Sequence, residues 1–470
     1  MYHKSLLFLL VCFIAVVFTS GCANIVAPTG GPRDSLPPVL ISVTPADSSS
    51  NFKADRIIFV FNEFVEIQEI QENLIVSPIP LKNPQIDFKL RTVTIKLKDT
   101  LEENTTYSIN LGNSLRDINE ANIYKNFTYA FSTGDSLDLN ELSGKVILAE
   151  TGRPDSTLIA LLHRSGEDSA VAKELPRYFA RLDSTGNFRF RFLAPGTYHL
   201  YALKDEGGSK RYTSRAQTFA FADKPVIVGG NTAPVVLYAY SEEEEEEEKP
   251  VKSPAVTKPS KKEEDKRLKF QLNLTNNLQD LLADLQIVFN DSLKTFDSSK
   301  LIFADEGFNK ITDYTITPDS TGKIYTIRHR WSENKTYNLI LDKEFASDTF
   351  NRKLLKTDTI SFKSKTAADY GSIKLRFGSL DLNKKPVLQI LQGDKIVLNY
   401  SFTTVKEFYV KLFNPGEYDL RILYDANGNG QWDPGSFFGE HLQPERVQNI
   451  EKKLKVRANW DNEENFNLAL

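Results

Sequence analysis

Among 470 residues there are two cysteines, one methionine and five histidines, and each scarcity removes a class of explanation. If the mature chain begins at Cys22, Cys12 is lost with the leader, so one thiol remains and no intrachain disulfide can form. The fold must then be held by apolar cores, which a chain with 40% hydrophobic residues can supply. The histidines (His3, His163, His199, His329 and His441) are scattered, and none falls in an HxH, HxxxH or Cys/His pattern. No Walker loop, GxSxG elbow or GxGxxG sits between a strand and a helix. Acidic residues lie mostly in turns, and no spacing singles out a carboxylate pair for acid–base work. These absences argue against an enzyme. The net charge is −4, with no basic stripe, so no nucleic-acid partner is indicated.

One long apolar run is present, LLFLLVCFIAVVF at 6–18, shorter than the ~20 residues a spanning helix needs. It follows Lys4 and ends in TSGC, which gives residues 1–21 the plan of a signal peptide. Ser20-Gly21-Cys22 resembles the lipobox of bacterial lipoproteins, which implies lipidation at Cys22 and a lipid anchor in the membrane. Residues 22–38 are rich in Pro and Gly and read as a flexible tether. Ala23, where an Asp would resemble an inner-membrane retention signal, points to the outer membrane.

Beyond the tether the pattern is short, alternating and aromatic, as in RIIFVF, VTIKL, YSINL and FRFRF, with turns such as DSTG and NPG between. The 31 Phe and 18 Tyr suit sandwich cores. The spacing predicts an all-β protein. The best helical candidate is NNLQDLLADL at 276–285. Residues 241–266 open with a serine and seven glutamates, continue with Lys, Pro and Ser, and are predicted to be a solvated linker. The functional alternative is a cation-binding acidic tail.

The linker separates two halves that repeat each other. ENTTY at 103–107 matches ENKTY at 333–337, and FRFRFLAPGTYHLYALKD at 188–205 aligns without a gap with FYVKLFNPGEYDLRILYD at 408–425. Residues 39–135 resemble the bacterial Ig-like domain of S-layer and surface proteins, on PPVLISVTPADSSS and the strand ending Phe-Asn-Glu. Residues 267–366 form its second copy and lack the SxxPAD opening. Residues 142–240 and 370–470 resemble prealbumin-like, carboxypeptidase-regulatory sandwiches, on LSGKVI and the PGxY strand. The order is tandem β-sandwich modules, A–B–linker–A–B. In PGxY, Tyr198 and Tyr418 are read as corner residues that anchor the strand.

One loop carries metal-type chemistry. In YDANGNGQWDPG, Asp425, Asn427, Asn429 and Asp433 fall where a calcium loop places oxygen ligands. No cofactor is required by the sequence, but calcium fits this spacing. Position twelve is Ser436 rather than Glu, with Glu440 as a substitute. The other reading is an Asn/Gly turn held by its own hydrogen bonds. Asp-Ser/Thr sites, including Ser35, Ser136 and Ser292, resemble an O-glycosylation acceptor of some Gram-negative bacteria. Together these features predict a non-catalytic, lipid-anchored envelope protein, a structural spacer or protein-interaction module at the outer membrane. The alternative is a glycan- or peptidoglycan-binding lipoprotein, for which Trp331 or Trp432 would supply an aromatic platform.

Overall fold

The computed structural model describes residues 34–230, 232–243 and 267–468. The signal segment, Cys22 and most of the tether and linker lie outside the described residues. Nearly everything described is strand, and the α-helices are single turns at Ile70–Asn73 and Ala170–Lys173. No helix among the described residues is long and apolar enough to cross a membrane.

Alternation in the sequence becomes alternation of burial. In Arg56–Phe61, Ile57, Phe59 and Phe61 are buried while Arg56 and Ile58 face outward, because successive side chains leave a strand on opposite faces. Four apolar cores result, one each around Phe59 and Phe131, Leu200 and Phe188, Phe303 and Leu339, and Leu375 and Ile422.

The repeat extends to strand order. In the first module one sheet runs Leu40–Thr44, Arg56–Phe61, Thr92–Lys96, Gln85–Lys89, and faces Ile75–Ser77, Thr106–Gly112 and Phe127–Ser132. In the third, the matching order is Phe270–Leu272, Leu285–Phe289, Ile324–Arg328, Thr315–Pro318, facing Leu301–Asp305, Thr336–Leu341 and Asp358–Ser364. The opening strand therefore forms without the SxxPAD motif. In the second module Gly196–Lys204 lies between Leu158–His163 and Phe219–Phe221. In the fourth, Gly416–Tyr424 lies between Pro386–Gln392 and Arg446–Val456. Both modules also close their smaller sheet with a parallel strand, Val235–Ala239 in one and Asp461–Phe466 in the other.

The helix predicted at 276–285 does not form. Asn276 and Asn277 both take positive φ, 52° and 60°, which ends any helical run. Leu278–Gln279 instead pairs in parallel with Asp358–Ser364. Asp280 accepts from the amide of Leu282 at 2.8 Å, from the Tyr370 hydroxyl at 2.8 Å and from Lys365 Nζ at 2.7 Å. The Tyr370 bond ties the third module to the start of the fourth.

The shared motifs recur atom for atom. Tyr198 donates to the Ala194 carbonyl at 2.9 Å, and Tyr418 donates to that of Asn414 at 2.9 Å. Gly196 and Gly416, at φ 151° and 159°, allow the turn before each tyrosine. In ENxTY, Asn104 and Asn334 are left-handed, and the tyrosine hydroxyls of Tyr107 and Tyr337 accept from the amides of Glu102 and Ser332.

Candidate functional site

The 425–433 loop follows Gly416–Tyr424, and Asp425 at its start is 2% exposed. Its Oδ1 accepts from the amides of Gly428 at 2.5 Å and Asn429 at 3.2 Å, and its Oδ2 from Gly430 at 2.7 Å. Asn427 and Asn429 donate their amide groups to Asp433 Oδ2 at 2.7 and 2.8 Å. The structure thus brings together all four residues singled out in the sequence. Glu440 is exposed. Glu445, which spacing could not reveal, takes its place from the position just before Arg446–Val456, accepting from the amides of Ala426 at 2.7 Å and Asp433 at 3.2 Å. Burial, with Asp425 nearby, pushes its carboxyl above the ordinary range.

The first copy of the loop shows how much of this geometry depends on ligand-type residues. Asp205 Oδ1 accepts from the amide of Lys210 at 3.0 Å, the same five-residue reach as Asp425 to Gly430. Gly208 and Lys210 hold φ 70° and 53°, as Gly428 and Gly430 hold 83° and 78°. The loop closes in both copies, although only the second carries the Asn and Asp set. Among the described residues no group of three or more His, Cys, Asp or Glu is placed to hold a metal ion. The Asp425 and Asp433 oxygens accept these hydrogen bonds and keep further lone pairs. What the arrangement does is fix the segment that follows.

That segment reaches into the second module. Phe437 is 1% exposed and packs with Tyr201, Phe219, Phe221 and Tyr240 in a fifth apolar cluster, joined by Tyr212 and partly by Trp432. Tyr212 and Trp432, which the gap-free repeat places at equivalent positions, thus meet in one core. Phe437 N donates to Glu242 Oε1 at 3.0 Å, and Gln443 Nε2 to the Phe221 carbonyl at 3.0 Å. Val447 N reaches the Ala149 carbonyl at 3.0 Å, Arg421 that of Glu150 at 3.1 Å and Asn449 that of Thr151 at 2.9 Å. Burial beside Glu242 pushes the Tyr212 and Tyr240 phenols well above their ordinary range. The glutamate run was predicted to be solvated. Its first residue, Glu242, instead has an 8% exposed side chain, because it caps Phe437 and faces Arg215 at 3.6 Å.

Both tryptophans named for a glycan platform are half-buried. Trp331 donates to the Ala283 carbonyl at 3.0 Å and packs edge-on against Phe303 and Tyr337. Trp432 donates to the Glu445 carbonyl at 2.8 Å. Cys22 and Ser35's upstream tether lie at or beyond the limit of the described residues. At another Asp-Ser/Thr site, Asp183 accepts from Thr185 Oγ1 at 2.7 Å and from the Asn187 amide at 2.9 Å, which is turn chemistry. Sequence also gave no sign that His163 and His199 are directly paired across neighbouring strands.

No curated protein matches the chain in sequence. Solved structures similar to it include the Bacillus anthracis TIE protein, 9% identical over 94% of this chain and 76% of that one, with a TM-score of 0.17. Another is BcpA, the major pilin subunit of Bacillus cereus, 9% identical over 70% of this chain and 99% of that one, with a TM-score of 0.17. The BSP domain of a biofilm associated protein is 10% identical over 86% of this chain and 97% of that one, with a TM-score of 0.15. Scores this low carry no statement about arrangement or role. The family comparison is more specific, and it covers the first module: residues 34–133 match the bacterial Ig-like domain.

Proposed function

We propose that the protein is a non-catalytic envelope lipoprotein, anchored through Cys22 at the outer membrane, that serves as a spacer and protein-interaction module. The observation that carries this reading is the Phe437 contact, which docks the fourth module onto the second and braces the two halves across the linker. A braced array of sandwiches presents surface at a fixed distance from its anchor, which is what a spacer needs. The chemistry-bearing side chains support the same reading. Asp425, Asp433 and Glu445 are engaged in closing a loop, and the corner tyrosines in closing turns. Calcium is not needed for this role, since the 205–213 loop closes without the ligand set.

The test is a pull-down of the native protein from detergent-solubilised envelopes, with and without chelator, alongside mass spectrometry of its N-terminus. A diacylated Cys22 and a stoichiometric protein partner that survives chelation are expected. Recovery of glycan or peptidoglycan fragments alone would overturn the spacer reading in favour of a glycan-binding lipoprotein. An unmodified Cys22 would remove the anchor.

A further inference from the structure

Between the first and second modules lies a cleft of about 810 Å³ that none of the preceding features uses. Its floor is apolar and reaches the first module's core, through Val76, Leu97, Tyr107, Ile109 and Phe131. Its other wall comes from the second module and is cationic and hydrogen-bonding, through His163, Arg164, Arg177 and Arg211. Cavities of this size at module boundaries, apolar with a few convergent polar groups, are the usual form of small-ligand sites.

The polar wall is incompletely satisfied. His163 is 2% exposed, and its Nε2 has no hydrogen-bond partner among the described residues. The Nε atoms of Arg177 and Arg211 are likewise buried and unpartnered. His163 and Arg177 are brought to one face by strand register. Leu161 pairs with Phe179 and Leu162 with Tyr178, which sets the next positions opposite each other. Arg177 spends both terminal nitrogens on Glu102, which leaves its Nε. Arg211 and Arg164 have no carboxylate within ion-pair distance among the described residues, and Arg164 lies 6.0 Å over the Tyr198 ring. Buried donors left without acceptors are rare in folded proteins, and three of them belong to residues that line this one cleft, which points to an occupant that supplies acceptors.

Charge selects the kind of acceptor. Lys82, Lys98, Arg164, Arg177 and Arg211 line the cleft against Asp99, Glu102 and Glu174. Of these carboxylates, Asp99 is turned to the backbone amides of Leu81 at 2.6 Å and Thr100 at 3.1 Å. Glu102 is taken by Arg177. We infer that the cleft between the first two modules binds a small amphiphile, an apolar chain ending in a carboxylate, with the tail against Val76, Ile109 and Phe131 and the head on the wall formed by Arg164, Arg211, Arg177 and His163. A free fatty acid and the C-terminus of an apolar peptide both present this chemistry.

The test is calorimetric titration of the full mature chain, carried as Cys22→Ser so that no acyl group of its own competes. The probe is dodecanoate below its micelle-forming concentration. Dodecanol and dodecyltrimethylammonium serve as neutral and cationic tails, and a short peptide ending in Leu-Leu with a free carboxylate serves as the second source. Dodecanoate is expected to bind one to one, at least about tenfold tighter than either tail control, since a hydrogen bond to a charged group contributes about 1.5–3 kcal/mol. Arg211→Met should lose about the same factor with an unchanged melting temperature, and Arg164→Met, at an exposed position, gives a second reading independent of folding. The His163 ring resonances should shift on binding in the parent chain. Tighter binding of the peptide than of dodecanoate would keep the chemistry and fix its source. Equal binding of all three tails, no binding of any carboxylate, or an unchanged affinity in both arginine variants would overturn the assignment.

Discussion

The rings of Phe437 and Phe219 lie 5.1 Å apart at 61°, although their modules stand on opposite sides of the acidic linker. Phe437→Ala should cost about 3–5 kcal/mol of docking free energy, the usual range for emptying a buried phenylalanine site. Scanning calorimetry should then resolve a separate transition for the released module, and small-angle scattering should show a larger radius of gyration. An unchanged radius would mean that the backbone contacts at Ala149, Glu150 and Thr151 hold the modules without the ring.

Asp425 serves three amides and Asp205 one, so their removal should differ in cost. Stranding buried donors costs about 1–3 kcal/mol, so Asp425→Ala should fall in that range and Asp205→Ala near its lower end. Denaturant unfolding with chelator present throughout measures both. Because the first copy closes without the ligand set, the parent protein's stability should be the same with and without chelator. A chelator-dependent midpoint, lost in Asp425→Ala, would show that an ion takes part in closing the loop.

Burial, with His199 beside it, drives His163 down to about 4 from an ordinary value of 6.5. The folded state therefore holds His163 neutral where the unfolded chain has begun to protonate it. Stability from this group is complete above pH 6.5 and falls as pH drops toward 4, by about 2 kcal/mol between pH 7 and pH 5. In His163→Leu that part of the loss should vanish, and urea titrations at the two pH values measure the difference. Equal pH slopes in both proteins would mean that the ring stays solvated enough to titrate normally.

Tyr198→Phe and Tyr418→Phe each remove one hydroxyl bond of 2.9 Å to a backbone carbonyl. Each should cost about 1 kcal/mol, and the pair should add, since the two corners lie in separate modules with no shared partner. A strongly non-additive double variant would couple the two turns through the docked interface.

Much of this structure was legible because the physics is local. Alternating runs such as RIIFVF carry their own burial pattern, and PGxY and ENxTY carry their own turns, so the all-β fold and the internal repeat could be read residue by residue. The 276–285 segment misled because its leucines have helical spacing. Two left-handed asparagines and the reach of Asp280 to Tyr370, ninety positions on, decided it instead. The 425–433 loop was legible as a cluster, but Glu445 arrives from just before the next strand, at a separation no loop spacing encodes. Phe437 gave no signal at all. An isolated aromatic after a turn looks the same whether it ends in solvent or in the core of another module. The pairing of His163 with His199 was hidden likewise, because it follows from strand register rather than from any motif.

The docking of the fourth module onto the second has a consequence for connectivity. The chain leaves the second module beside Glu242, re-enters the described fold at Arg267, passes through the third module and comes back to its point of departure at Phe437. The polypeptide is thus closed into a ring by non-covalent contacts. A single protease cut anywhere between residues 244 and 266 opens the covalent path without parting the pieces. The two halves, made as separate polypeptides, would then be complementary fragments that find each other again.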